Sequence, residues 1–283
     1  MKCLTWNLEW KTPVSKAGRL IVEQVASMNP DVVCYTEVVR ALVPEGHSIE
    51  SDPDYGYSNE GGRRKVILWS RHPWTDVDTV GDDEMPTGRF ASGVTCGVRF
   101  VGVCIPWRDA HVNGGRRDRD PWEDHLAYCR GLGRVLAGYA DQAMPTCVLG
   151  DYNQRIPRVG QPVNVAGALA EAIPGDFRVA TQGMKNCEGA DLIDHFAVSP
   201  GLSISITRIG PRYTGDGTRL SDHPGVVASI ELDQAGGARD AADRENQSWV
   251  STPILLDSTS TQRVSTLMLD DSAVAQVARA GGA

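Results

Sequence analysis

Along most of the chain, short apolar runs rich in Val, Ile, Leu and Cys are broken by Gly, Pro, Asp and Asn. This pattern predicts β-strands over residues 2–8, 31–35, 65–69, 90–98, 100–105, 146–149, 192–198, 202–209 and 226–231. Helical spacing is confined to fewer places. Ser15 caps a segment that carries Ala17, Leu20, Ile21, Val25 and Met28 on one side and stops at Asn29-Pro30. Residues 121–139 set Trp122, Leu126, Cys129, Leu132, Val135, Leu136 and Tyr139 in an amphipathic stripe, and a shorter helix is expected over 163–173.

Many strands with few long helices between them predict an α/β (α+β) protein in which sheets pack face to face and helices flank them. A TIM barrel or Rossmann repeat would place a helix after every strand. No internal repeat is visible, and the composition changes after Leu232 to Ala, Gly, Asp and Arg, then to Ser and Thr. The expected division is a catalytic domain over 1–232 and a tail over 233–283, partly disordered or regulatory, with a short helix near 273–280.

Bulk composition narrows the chemistry only a little. With 41% hydrophobic and 23% charged residues the chain is ordinary for a globular protein, and its net charge of -8 gives no overall attraction to polyanions. Phosphate binding would have to come from local Arg and Lys or from a metal. The seven cysteines (Cys3, Cys34, Cys96, Cys104, Cys129, Cys147, Cys187) are odd in number and sit mostly in apolar runs, which predicts free thiols in a reducing compartment. No CxxC pair supports a zinc site, and no apolar stretch approaches a membrane span. A cytoplasmic location and a monomer are the default expectations.

Polar residues interrupt the strands in an informative way. Asn7 follows Leu4-Thr5-Trp6, Glu37 follows Val32-Val33-Cys34-Tyr35, and Asp151 with Asn153 follows Val148-Leu149-Gly150. Asp194 lies inside the apolar stretch 192–198, and Asp222-His223 precedes Val226-Val227. A carboxylate in such a run is costly unless a donor, a charge or a metal compensates it. Carboxylates, amides and one histidine brought together suit a hard cation and a phosphoryl group.

Five segments, Thr5-Trp6-Asn7-Leu8-Glu9, Tyr35-Thr36-Glu37, Gly150-Asp151-Tyr152-Asn153, Asp191-Leu192-Ile193-Asp194-His195-Phe196 and Ser221-Asp222-His223, resemble in order the motifs of the endonuclease/exonuclease/phosphatase superfamily. Each alone is weak, and Asp-Tyr-Asn by itself reads as a turn; the ordered set carries the resemblance from Lys2 to about Glu231. It implies a four-layered α/β/β/α sandwich and a Mg²⁺-dependent phosphoesterase, with Mn²⁺ as a substitute. By resemblance Glu37 is the principal metal ligand, with Asn7, Glu9 and Asp222 as further candidates. Asp151 orients or deprotonates water, Asn153 donates to a phosphate oxygen, and His223, oriented by Asp194, neutralises the phosphate. Which of Asp151 and His223 takes the proton stays open at this stage.

One departure stands out. Members of this superfamily often carry Tyr or His before the proline that here is Pro106, whereas this chain reads Cys104-Ile105-Pro106-Trp107, and a thiol is a poor donor. Arg108, His111 or an arginine of the 116–119 loop is expected to contact phosphate instead, although the alternation of Arg116, Arg117 and Arg119 with Asp118 and Asp120 equally describes a self-neutralised loop. Trp107 is a candidate stacking platform for a base. The compact basic run Arg63-Arg64-Lys65 either contacts a nucleic-acid backbone or flanks a hairpin, and His47, His72, His125 and His195 read as structural or surface residues. The expected substrate is a phosphodiester in nucleic acid. A small phosphoester is the alternative, since Gly150-Asp151-Tyr152-Asn153-Gln154-Arg155 echoes an inositol phosphatase motif while Asp191–His195 does not. A non-catalytic binding module is third.

Overall fold

A computed structural model describes residues 1–59, 61–142 and 144–233. The tail expected over 233–283, with its helix, lies outside the described residues apart from Asp233. In chain order the elements are β1 (Lys2–Asn7), α1 (Lys16–Met28), β2 (Val32–Val39), β3 (His47–Glu50), β4 (Arg63–Ser70), β5 (Thr75–Asp78), β6 (Phe90–Thr95) and β7 (Val98–Cys104). They continue with α2 (Glu123–Ala140), β8 (Thr146–Asp151), α3 (Val163–Ala172), β9 (Arg178–Val179), β10 (Asp194–Val198), β11 (Leu202–Ile209) and β12 (Val226–Leu232).

The strands form two mixed sheets, ordered β11-β12-β1-β2-β4-β3 and β5-β6-β7-β8-β10-β9. Each contains one parallel pair, β1 with β2 and β7 with β8. A parallel pair needs a long crossover, and α1 and α2 are those crossovers. Side chains that alternate along each central strand find an apolar layer on both faces. From β1, Cys3 enters the core between the sheets with Cys34, Leu68, Phe100 and Phe196, whereas Leu4 and Trp6 pack with Ile21 and Val25 of α1. On the far side Val101, Val103 and Val148 pack with Tyr128, Leu132 and Leu169 of α2 and α3. The result is the α/β/β/α sandwich, and burial on both faces is why these strands read as continuous apolar runs instead of alternating ones.

Ser15 caps α1 by accepting from the Gly18 N–H, and Asn29 ends it in the left-handed region at φ 51°. Two differences from the expected strands have local causes. The run 90–98 breaks into β6 and β7 because Cys96 and Gly97 both have positive φ, 51° and 76°, and make a two-residue hairpin closed by Thr95 opposite Val98. The short strands β3, β5 and β9 lie at sheet edges, where polar residues are tolerated and no apolar run announces them. No helix among the described residues is long and apolar enough to cross a membrane.

Gly150 ties the fold to the residue that follows it. Its φ is 141°, and a Cβ there would lie 2.0 Å from the Val103 carbonyl oxygen of the neighbouring strand. Gly150→Ala is expected to cost more than about 2 kcal/mol, read from urea denaturation. Wild-type stability in that variant would mean that β7 and β8 separate without penalty.

Candidate active site

The ends of β1 and β8 and the start of β10 lie on one rim, and the loop before β12 reaches over it. Antiparallel pairing sets Asp194 opposite Asp151, and parallel pairing sets Cys104 beside Asp151. Asn7 bridges the sheets, its Nδ2 donating to Asp151 Oδ2 at 3.0 Å. Asn153, held in the left-handed region at φ 52°, donates its backbone N–H to Asp151 Oδ1 at 2.9 Å and its Nδ2 to Oδ2 at 3.1 Å. Three donors therefore converge on one buried carboxylate.

The loop 221–223 is fastened to β1. Ser221 Oγ donates to Asn7 O (2.6 Å) and accepts from His223 N (3.1 Å), while Trp6 Nε1 donates to His223 O (3.1 Å). Those contacts bring His223 Nδ1 to 2.6 Å from Asp194 Oδ2. With an acceptor-only carboxylate as partner, Nδ1 carries the proton. Asp194 is completely buried, and its Oδ1 has no hydrogen-bond partner among the described residues.

Electrostatics couple the three. Burial pushes Asp151 up to about 7; nearby His223 opposes the shift, and Asp194 and Glu37 add to it. Burial pulls His223 down, but the charges of Asp194 and Asp151 and the hydrogen bond to Asp194 outweigh it and raise the group to about 10. The imidazolium thus sits between two carboxylates. Asp151, Asp194 and His223 offer ligand atoms within 4.8 Å of one another.

The candidate metal ligands differ in availability. Glu37 keeps 24% of its side chain exposed and adopts φ 46° within β2, a left-handed conformation that is strained for a glutamate. Its Oε1 is paired with Lys65 at 2.6 Å. Glu9 is paired with Lys11 (3.1 Å) and Arg219 (2.5 Å), and Asn7 Oδ1 accepts from Glu9 N. Asp222 is exposed, with Oδ1 3.8 Å from His223 Nε2. These are oxygen donors around a carboxylate excess, a set that fits a hard divalent cation.

Several of the residues expected to compensate for Cys104 have acidic partners near their own loop. His111 is buried, with Nδ1 2.5 Å from Asp124 and Nε2 3.1 Å from Tyr55 O, and its ring stacks on Tyr57. Asp124, on the first turn of α2, captures it, so that in this structure both ring nitrogens of His111 tie its loop to neighbouring segments. Arg108 is 62% exposed with Nε 3.5 Å from Asp109, and Arg119 pairs with Asp124 at 2.9 Å. Arg116 lies 3.8 Å from Asp118, the self-neutralised arrangement. Trp107 is 49% exposed and free to meet a ligand. His195, one residue from Asp194, points to the opposite face of β10, where it meets Thr181 and Gln154 O; burial lowers it to about 4.

Three groups near the rim are not singled out by the sequence pattern. Trp10 stacks on Tyr55 at 5.7 Å and Tyr55 on Tyr57 at 6.0 Å, a ladder continued by His111. Lys65 was visible only as part of a basic run, and Arg89 carried no signal beyond its place before an apolar strand.

The sequence matches the model of the Endonuclease/Exonuclease/phosphatase family over residues 4–223. Among curated proteins, none matches the chain significantly. Similar solved structures include an AP endonuclease from Archaeoglobus fulgidus (17% identity, TM-score 0.58, covering 82% of this chain and 100% of that one). A 3' phosphatase, NExo from Neisseria, bound to a product DNA hairpin is similar at 16% identity and TM-score 0.57, with 82% and 100% covered. The APE2 catalytic domain of Xenopus laevis is similar at 16% identity and TM-score 0.58, with 81% and 91% covered.

Proposed function

Since the chain belongs to the Endonuclease/Exonuclease/phosphatase family, we propose that it is a divalent-metal-dependent hydrolase of phosphodiester bonds in nucleic acid. The observation that carries this reading is the convergence of Asn7, Asn153 and Asp151 beside the His223–Asp194 pair. A carboxylate near 7 is poised to take a proton at neutral pH. In this reading Asp151 accepts a proton from the attacking water, whose oxygen bonds to phosphorus as the bond to the leaving oxygen breaks. The leaving oxygen takes up a proton from solvent, and Asp151 returns its own to solvent after turnover. His223, held charged by Asp194, binds the phosphate through Nε2 and neutralises charge that builds on it. Asn153 Nδ2 and Asn7 Nδ2 keep the Asp151 carboxylate oriented; because Asn153 Nδ2 also donates to Ile105 O at 2.8 Å, the phosphate contact expected of Asn153 would require it to release one of these bonds. A divalent cation held by Glu37, with Asp222, Asn7 or Glu9 as further candidate ligands, would supply further neutralisation of the phosphate and leaving oxygens. Mg²⁺ is the expected ion and Mn²⁺ the substitute.

Nucleic acid is favoured as substrate by the kinds of protein to which the fold is similar, one of them in complex with DNA, and by half-exposed Trp107, which suits a base. A small phosphoester is the second reading, favoured by the net charge of -8, which gives a long polyanion no long-range attraction. Labelled single- and double-stranded DNA, RNA and a panel of phosphoesters, each with Mg²⁺, Mn²⁺ or EDTA, separate the two. Cleavage of an oligonucleotide that EDTA reduces by at least about 10³-fold is expected. Activity on the small esters alone would replace the substrate, and inactivity on every substrate would leave a binding module.

A further inference from the structure

Two buried cations have no role in the chemistry above: Lys65, beside Glu37, and Arg89, whose carbonyl is hydrogen-bonded to Cys104. Register sets Lys65 opposite Glu37, because β2 and β4 pair Thr36 with Val66 and Val38 with Arg64. Only 7% of the Lys65 side chain is exposed, and its Nζ lies 2.6 Å from Glu37, 5.0 Å from the Trp10 ring centroid and 5.6 Å from that of Tyr55. Arg89 is 1% exposed and precedes β6. Its carbonyl is fixed by Cys104 N at 3.0 Å and Tyr128 Oη at 2.9 Å, but its guanidinium Nε and Nη2 have no partner among the described residues.

Those two nitrogens form one edge of the guanidinium, the edge that grips two oxygens of a carboxylate or phosphate side by side. Leaving both of them buried and unpartnered costs free energy that a bound anion would recover. Lys65 and Arg89 both act electrostatically on the Cys104 thiol, as do Asp151 and Glu37. Cys104 lies beside Asp151 in the β7–β8 pair. Cys104 is thus a common neighbour of the two cations and of the proposed base, while Arg108 is paired with Asp109 of its own loop and the buried His111 with Asp124 of α2.

We propose that Arg89 and Lys65 form an oxyanion seat beside Asp151 that takes a phosphate group of the substrate, Arg89 side-on through Nε and Nη2 and Lys65 as a point charge shared with Glu37. The seat rests on the hydrolase reading for its substrate but not for its anion. Because Lys65 occupies Glu37, it also opposes any cation that loads there. Removing it should therefore strengthen metal binding while weakening phosphate binding, opposite signs that a merely structural lysine would not produce.

The test uses the full chain as wild type, Lys65→Met, Arg89→Met and Arg89→Lys, each checked for folding by circular dichroism. Inorganic phosphate is titrated by ³¹P line broadening, Mn²⁺ by calorimetry, and KM and kcat are measured on a labelled oligonucleotide. Expected results are about tenfold weaker phosphate binding in Lys65→Met and Arg89→Lys, about tenfold tighter Mn²⁺ binding in Lys65→Met, and in Arg89→Lys a KM rise of similar size with kcat changed less. Arg89→Lys keeps the charge and loses only the fork, so it decides the matter if Arg89→Met does not fold. Wild-type protein that binds no phosphate, or folded Lys65→Met and Arg89→Lys that bind it as wild type does, overturns the seat. Phosphate bound with the expected losses by a protein that cleaves no nucleic acid upholds the seat and removes the hydrolase reading instead.

Discussion

Asp151→Asn should lower turnover by about 10³-fold or more while raising the stability of the metal-free protein. The two effects share a cause. Burial and the neighbouring Asp194 and Glu37 push Asp151 from 3.8 to about 7, against the pull of His223. Between those two values the folded protein holds a proton that the unfolded chain releases. Folding stability therefore falls as pH rises through this window, and above about 7 the fold carries the whole cost of the buried charge. Asparagine carries none of it. The gain is expected near 1–2 kcal/mol at pH 8, less than the full electrostatic cost, because an amide nitrogen must then face the donors of Asn7 and Asn153. It should vanish below pH 4. In the wild type, kcat/KM should rise with pH as Asp151 becomes a base, the rise lying at lower pH than the metal-free value because a bound cation favours the carboxylate. Thermal melts at several pH values and single-turnover cleavage read both effects, and an Asp151→Asn variant within threefold of wild-type activity would remove Asp151 from the chemistry.

His223→Ala should destabilise the fold by about 3–5 kcal/mol, besides a comparable loss of turnover. Asp194 is completely buried, one of its oxygens already lacks a partner, and His223 holds the other at 2.6 Å. Removing the imidazolium strands a carboxylate in the interior. Asp194→Asn in the same chain should recover most of the stability and none of the activity, which distinguishes an orphaned charge from a packing defect. The pH dependence follows from the raised pKa. Relative to an ordinary histidine near 6.5, His223 at about 10 stabilises the fold fully below 6.5, and this contribution is lost as pH rises through 10. Wild-type stability should decline between pH 7 and 10, and the His223→Ala variant should lack that decline.

Central strands were legible because they are buried on both faces, so that Cys3, Leu4 and Trp6, or Val101 and Val103, are apolar whichever way they point. The caps of α1 were legible because Ser15 and Asn29-Pro30 act through local backbone chemistry. The short edge strands β3, β5 and β9 escaped notice because they carry no apolar run, whereas the longer edge strand β11 carries apolar residues in alternation. The hairpin at Cys96-Gly97 escaped because a cysteine rarely announces positive φ.

Sequence by itself determined which acids and amides interrupt apolar runs, and their order from Asn7 to His223. That order is a property of the chain, and the cost of burying such groups makes it conspicuous in one dimension. Tertiary structure alone decided the partners. Strand register placed Lys65 on Glu37 and Asp194 opposite Asp151, and α2 drew His111 to Asp124. Hydrogen bonds and ion pairs are chosen over a few ångströms, and groups as far apart in the chain as Asn7 and Asp151 become neighbours only once the sheets have packed.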